Sequence, residues 1–251
     1  MAENDERLDG YRRIWDEKPV LREIYEDLYR RIARRLAPGK TLEIGGGCGN
    51  LKDYAPDVIA SDILPAGWLD VVADAQRIPF ADGSLANIVL FDVLHHIERP
   101  RMFLAEAVRV LRPGGRIVMV EPGITPVSWL FFKLLHHEPV VMDADPLVSG
   151  DPDPNRDPYL SNQAIPTLLL GSWRERMLAA FPELVVAEYH HVSLFAYPLS
   201  GGFKRWCLVP RVLIRPLLAL ERRLEPLLGP LCAFRMLAVI EKKQSTGVHA
   251  S

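Results

Sequence analysis

The chain has 251 residues, 49% hydrophobic and 25% charged, which suits one sizeable α/β domain, makes two domains of ordinary size a tight fit and excludes a disordered polymer. A formal net charge of -2 gives no general attraction to nucleic acid, so no nucleic-acid partner is expected. The cysteines (Cys48, Cys207, Cys232) are odd in number and lack metal-ligand spacing, and the N-terminus lacks the apolar core of a signal peptide; both point to a reduced, cytoplasmic setting.

Pro19 suits a first helical turn, and Ile24, Leu28, Ile32 and Leu36 recur every four residues, so 19 to 36 reads as an amphipathic helix stopped by Pro38-Gly39. Short apolar strands follow at 40 to 44, 58 to 61, 69 to 73 and 86 to 91, the last three each followed by an aspartate: Asp62, Asp74 and Asp92. A helix at 100 to 111, a Pro113-Gly114-Gly115 turn and a fifth strand at 116 to 121 come next. Strands alternating with helices imply a parallel sheet covered on both faces. From 122 to 166 the pattern is lost, apart from an apolar helix at 127 to 135; 143 to 158, rich in Asp and Pro, reads as a mobile loop. A helix at 172 to 181, a long strand at 184 to 196, an apolar and basic stretch at 203 to 230 broken by prolines, and a final strand at 234 to 241 complete the chain. No run of roughly 18 apolar residues lacks a charge or proline, so no transmembrane helix is expected.

The chemistry centres on Glu43-Ile-Gly-Gly-Gly-Cys-Gly49, directly after the first strand. Ligands of an open parallel sheet bind beyond the carboxyl ends of its strands, and glycines there let the backbone turn sharply close to a ligand, with the amides of a following helix aimed at it. A dinucleotide fingerprint needs G-x-G-x-x-G, and both registers fail, at Asn50 and at Lys52. The pattern E-x-G-x-G-x-G instead matches at Glu43, Gly45, Gly47 and Gly49. A carboxylate at 43 repels a pyrophosphate but tolerates the ammonium of S-adenosylmethionine (SAM). Asp62, ending the second strand, can accept both hydroxyl protons of a ribose, and Asp74, ending the third, can reach an adenine amino group. Cys48 reads as a small filler.

These runs, with Ser61-Asp-Ile63, Ala73-Asp-Ala75, Ile78-Pro-Phe-Ala-Asp-Gly-Ser84, Phe91-Asp-Val-Leu-His-His-Ile97 and Leu111-Arg-Pro-Gly-Gly115, resemble class I SAM-dependent methyltransferases. The likeness is to the small-molecule branch that includes ubiquinone and menaquinone methyltransferases. It is strong over 19 to 122 and weak over 172 to 241. It implies a Rossmann-like, doubly wound, seven-stranded sheet with the last strand antiparallel and beside the fifth. It also implies that Glu43, Gly45, Gly47 and Gly49 line the methionine part of SAM, Asp62 holds the ribose with Ile63 against the adenine, Asp74 and Ala75 contact the adenine edge, and Phe91 sits near the reacting methyl.

The acceptor is less legible. Methyl transfer to an oxygen of high pKa needs a general base. His95 and His96, after the fourth strand, are the candidates, against a structural role in the loop. His136-His137-Glu138 could suggest a metal, but the ligand set is incomplete and none is expected; His190 and His191 lie in the sixth strand. The 204 to 225 stretch has six bases (Lys204, Arg205, Arg211, Arg215, Arg222, Arg223) and two acids (Glu221, Glu225), among leucines. It reads either as a helical lid or as a peripheral membrane contact. The expectation is a single SAM-binding domain over 1 to 251 with lid insertions at 123 to 166 and 203 to 230, methylating a small, hydrophobic acceptor (isoprenoid, quinone or lipid-like), preferably on oxygen. A non-catalytic SAM-binding or membrane-associated accessory protein and an NAD-dependent oxidoreductase are the competing readings.

Overall fold

The computed structural model describes residues 5–55, 57–135 and 138–244. Two helices precede the sheet. α1 (Glu6–Glu17) begins where the Asp5 carboxylate accepts the Arg7 amide, and it buries only Leu8 and Trp15. So little apolar periodicity leaves no sequence signal, and α1 was not foreseen. α2 (Pro19–Ala33) starts on Pro19 and buries Leu21, Ile24, Tyr25, Leu28 and Ile32 against the sheet and its neighbours.

The first four strands are β1 (Thr41–Ile44), β2 (Val58–Asp62), β3 (Val71–Val72) and β4 (Leu85–Phe91). Every residue of β1 and β4 is buried, as expected of central strands covered on both faces. Next come α3 (Pro100–Val110), β5 (Leu111–Pro122) and α4 (Pro126–Leu135). The rest is α5 (Ile165–Leu170), α6 (Arg174–Ala180), β6 (Leu184–Val192), α7 (Ala196–Ser200), α8 (Arg211–Cys232) and β7 (Arg235–Lys242). They form a seven-stranded sheet of order β3-β2-β1-β4-β5-β7-β6. β7 runs antiparallel between β5 and β6, and the other strands are parallel to β1 or to β5. The Rossmann-like sheet with its antiparallel last strand beside the fifth is therefore present.

Several boundaries differ from the sequence reading, each for a physical reason. β5 absorbs the Pro113-Gly114-Gly115 turn: Leu111 pairs with Leu85 and Arg116 with Asn87, so five positions on one strand match two on the other, and Gly114 takes φ +74°. β6 stops at Val192 because Ser193 adopts φ +65° and turns the chain into α7. α5 was lost in the unpatterned stretch because six residues are too few to show a period. α8 is continuous, although Pro216, Pro226 and Pro230 lie inside it and each removes a helical hydrogen bond. Tertiary contacts offset those losses. Ile214 and Leu218 pack with Val20 and Ile24 of α2, and Arg211 and Arg215 pair with Glu23, Arg222 with Asp27 and Glu225 with Arg31.

The connection from α7 to α8 wraps around Lys18. Its Nζ donates to the carbonyls of Ser200, Gly202, Lys204 and Trp206 at 2.6 to 3.0 Å, which anchors this connection on the start of α2.

Candidate active site

The glycine segment leaves β1 and turns at once. Gly45, Gly47 and Gly49 all have positive φ (+65°, +48° and +72°), where a side chain is strained. A Cβ on Gly45 would also lie 2.3 Å from a methyl of Val93 in the loop after β4. The expected helix after this loop is only a single 3₁₀ turn, Asn50–Asp53, so a full helix N-terminus does not face the site. The loop is instead fixed from outside. The Gly46 amide bonds the Ser61 carbonyl (2.7 Å), the Gly47 amide bonds Asp62 Oδ2 (3.1 Å), and Trp68 Nε1 donates to the Gly47 carbonyl (2.8 Å).

Glu43 and Asp62 both end up beneath this loop. Glu43 is 2% exposed, and its Oε2 has no hydrogen-bond partner. Burial, against the pull of Lys52 and with help from Asp62, pushes its pKa up to about 8. Asp62 accepts the amides of Gly47 and Leu64, both at 3.1 Å, yet burial outweighs those bonds and raises its pKa too. Next to it Ile63 is 46% exposed, an apolar side chain left in the open beside the glycine loop.

Three sequence candidates are occupied locally. Asp74 accepts the backbone and side-chain amides of Gln76 at 2.8 and 3.2 Å, an Asx turn that shapes the end of β3, and the Ala75 side chain packs in the main core. The Phe91 ring stacks on Tyr25 of α2, with centroids 4.7 Å apart and planes within 10°, so its side chain belongs to the aromatic layer under α2. The residue after it, Asp92 (φ +55°), is held by Arg235 at 3.0 and 2.5 Å. Arg235 is buried and lies 3.5 Å over the Tyr197 ring; burial opposes its charge, but Asp92 outweighs this and drives its pKa well up.

A second constellation lies where β4 and β5 end, around the 3₁₀ turn Leu94–His96. Glu121 of β5 is fully buried; one carboxylate oxygen accepts the amides of Val93 and Leu94 (2.7 and 2.8 Å), and the other meets His95 Nδ1 at 2.8 Å. His95 Nε2 is 3.7 Å from Glu138 Oε2. Burial disfavours the charged ring, but Glu121, Asp92 and Glu138 outweigh it, so the His95 pKa lies above the ordinary value. His96 behaves oppositely: burial and the neighbouring His95 lower its pKa to about 4, and its Nδ1 has no partner. The same polar set includes Ser161 and Gln163, both hydrogen-bonded to Glu138 Oε2.

The segment from 138 to 164 is tied down over this turn rather than left loose. Asn162 donates its amide to the His95 carbonyl (2.9 Å), and Arg156 Nη1 reaches the His96 carbonyl (2.8 Å). Its aspartates form local turns: Asp145, Asp153 and Asp157 each accept the amide two residues on. Aromatic rings from distant positions continue the wall. Tyr159 sits 6.1 Å from His96 and stacks on Tyr11 at 6.2 Å, Tyr11 meets Phe203 at 5.1 Å, and Phe203 meets Tyr25 at 5.7 Å.

His95, His96 and Glu138 bring one potential ligand atom each within 4.8 Å of one another, a set able to accept a cation. His136 and His137, grouped with Glu138 in the sequence, lie outside the described residues. His190 is bound to Glu188 at 3.1 Å on the outer strand.

Sequence reasoning missed Glu121, Asp92, Arg235, Gln163 and the aromatic wall. Glu121 and Asp92 carry the same strand-end signal as Asp62 and were readable from it. Gln163, Arg235 and the rings come together only through the fold.

A glycine loop after β1, acids at successive strand ends and a seven-stranded sheet of this order define a SAM-dependent methyltransferase. Residues 42–119 match the family described as Methyltransferase domain. The demethylmenaquinone methyltransferase of Mycobacterium marinum is 31% identical over 170 residues, covering 61% of this chain and 72% of that protein. A putative sarcosine dimethylglycine methyltransferase from Galdieria sulphuraria superposes with a TM-score of 0.53 at 15% identity, covering 95% of this chain and 99% of the other. A SAM-dependent methyltransferase from Archaeoglobus fulgidus gives 0.51 at 18%, covering 88% and 94%. The chain belongs to the class I SAM-dependent methyltransferases, and SAM is its methyl donor.

Proposed function

We propose that this enzyme methylates an oxygen of a small hydrophobic acceptor, with His95 as the general base. The observation that carries this reading is the buried Glu121–His95 pair at the carboxyl ends of β4 and β5. Glu121 would accept a hydrogen bond from Nδ1–H of the neutral ring, a tautomer that leaves Nε2 with a lone pair turned toward the covering segment. His96, held neutral by its low pKa, is the second polar group at this place.

On the donor side, SAM supplies an electrophilic methyl on a sulfonium, and in-line displacement leaves a neutral thioether. Little charge therefore needs stabilising, and orientation and exclusion of water dominate. Glu43 would receive the SAM ammonium on its unpartnered Oε2, beside the backbone of Gly45, Gly47 and Gly49. Asp62, already bound to two amides on its inner side, would accept the ribose hydroxyls, and the open side chain of Ile63 would lie on the adenine. Asp74 and Ala75 would contact the adenine edge mainly through the turn they build, and Phe91 would act by supporting Tyr25 below the reacting centre.

Support for a hydrophobic acceptor comes from the wall of Tyr159, Tyr11, Phe203 and Tyr25 beside His96, and from the M. marinum relative, which by its name acts on demethylmenaquinone. The test is incubation with methyl-labelled SAM and isoprenoid or quinol acceptors, followed by mass spectrometry of the product. Label attached to oxygen, lost in His95→Gln with SAM affinity intact, is the expected result. Carbon-bound label overturns the choice of oxygen, and wild-type turnover by His95→Gln overturns the base.

A further inference from the structure

α8 carries two apolar stripes. The inner one, Ile214, Leu218 and Cys232, is buried, and the acids beside it also turn inward: Glu221 accepts the amides of Phe195 and Ala196, and Glu225 pairs with Arg31. The second stripe repeats leucine at spacings of four and three residues from Leu213 to Leu231. At 3.6 residues per turn those six leucines fall within an arc of about 80°, displaced by roughly 110° from the inner stripe. Leu213, Leu220, Leu227 and Leu231 are 50 to 77% exposed.

α4 packs against α8 and extends this surface; its Phe131 and Phe132 meet Phe234, just past the end of α8, at 5.1 and 6.0 Å. Its ten residues include one charge, Lys133, and Leu130, Leu134 and Leu135 are more than half exposed. Trp129 lies 4.7 Å from the Lys133 ammonium, the residue pairing found where protein meets lipid headgroups. Neither helix presents an acid on this surface, whereas Lys133 and Arg223 are exposed on or beside it; Arg211, Arg215 and Arg222 lie on the opposite side of α8, paired with Glu23 and Asp27 of α2. A second copy placed face to face would set bases against bases. Among the described residues no helix is long and apolar enough to cross a membrane.

We infer that the α4–α8 surface docks this enzyme flat onto an anionic lipid bilayer. The leucines and Trp129 enter the headgroup boundary while Arg223 and Lys133 meet lipid phosphates. α4 follows directly on the strand that bears Glu121, so the docked face adjoins the covering segment of the site. The last point, delivery of a membrane-dissolved acceptor to His95, rests on the acceptor reading above; docking does not.

The experiment is co-sedimentation of the full chain with phosphatidylcholine vesicles with and without phosphatidylglycerol, for wild type, Leu134→Ser/Leu227→Ser and Lys133→Glu/Arg223→Glu. Wild type should sediment with the anionic vesicles, less so at high salt. Each double variant should lose binding about tenfold or more, with SAM affinity and circular dichroism unchanged because all four side chains are at the surface. Absence of wild-type binding, or binding that both variants retain, overturns the proposal. So does a wild-type dimer in sedimentation velocity that Leu134→Ser/Leu227→Ser dissociates without any vesicle binding. Product analysis of the acceptor reading is independent of every one of these outcomes.

Discussion

The carboxyl ends of β1 to β3 and of β4 and β5 lie along one edge of the sheet, but they are built differently. Around β1 to β3 the backbone does most of the shaping: three glycines at positive φ, amides tied to Asp62 and to the Ser61 carbonyl, and an Asx turn at Asp74, all within residues 43 to 76. Around β4 and β5 the shaping is done by side chains from far apart: Glu121 on His95, Gln163 and Ser161 on Glu138, and rings from positions 11, 25, 159 and 203. Backbone shaping suits a ligand of fixed form, such as SAM. Side-chain shaping can be altered one residue at a time, which suits the half that selects an acceptor.

The sharpest break of this contrast is at His95. Replacing it with Gln should lower kcat by about 10²- to 10⁴-fold, the usual contribution of a general base, while the Kd for SAM measured by calorimetry stays the same. A comparable loss of SAM affinity would mean that the two halves are not separable. Glu121→Gln sharpens the point. Glu121 is the main influence raising the His95 pKa, and a base must be unprotonated, so the acid limb of the kcat profile should move to lower pH in this variant. A fall in kcat with an unmoved limb would assign Glu121 to packing alone.

Glu43 tests the other half. Removing its charge by Glu43→Gln should weaken SAM by roughly 1.5–3 kcal/mol, about 10- to 150-fold, with little effect on kcat at saturating SAM. The same substitution should stabilise the unliganded fold. Burial pushes the folded carboxyl's pKa up to about 8, from an ordinary 4.5, so folding binds a proton between those limits and wild-type stability falls as pH rises through that window. The gain in Tm from Glu43→Gln should therefore be small near pH 4 and largest above pH 8. Calorimetry in buffers of different ionisation enthalpy should also show a proton released when wild type binds SAM near neutral pH, and none from Glu43→Gln.

That contrast also explains what could be read in advance. Glycine spacing, strand-end acids and alternating apolar runs are local signals, so the parallel α/β sheet and the strand-end placement of Glu43, Asp62 and the glycine loop were legible, while the antiparallel last strand came only from the family resemblance. The 3₁₀ turn at 50 to 53 was not, because a glycine loop predicts a following helix without fixing its length. Pro216, Pro226 and Pro230 concealed α8 because the contacts that offset them, with Glu23, Asp27 and Arg31, come from about 190 residues earlier in the chain. His95 was singled out but its partner was not. The 26-residue separation of His95 and Glu121 closes only when β4 and β5 lie side by side.

The smallest effect isolates the backbone half most cleanly. Ile63 stands 46% exposed, so it contributes little to the unliganded fold, and Ile63→Ala should leave Tm nearly unchanged, within about 0.5 kcal/mol. If adenine covers it, the methyl groups removed are ones that SAM buries on binding. At roughly 25 cal/mol per Å², loss of a few tens of Å² of apolar contact should cost about 1 kcal/mol, or several-fold in Kd. S-adenosylhomocysteine carries the same adenosine without the sulfonium methyl, so its affinity should fall by the same factor as that of SAM. A methionine-only fragment should be unaffected. Equal affinity of wild type and Ile63→Ala for S-adenosylhomocysteine would place the adenine elsewhere along the β2–β3 edge and leave the glycine loop and Glu43 as the parts of the donor site still assigned.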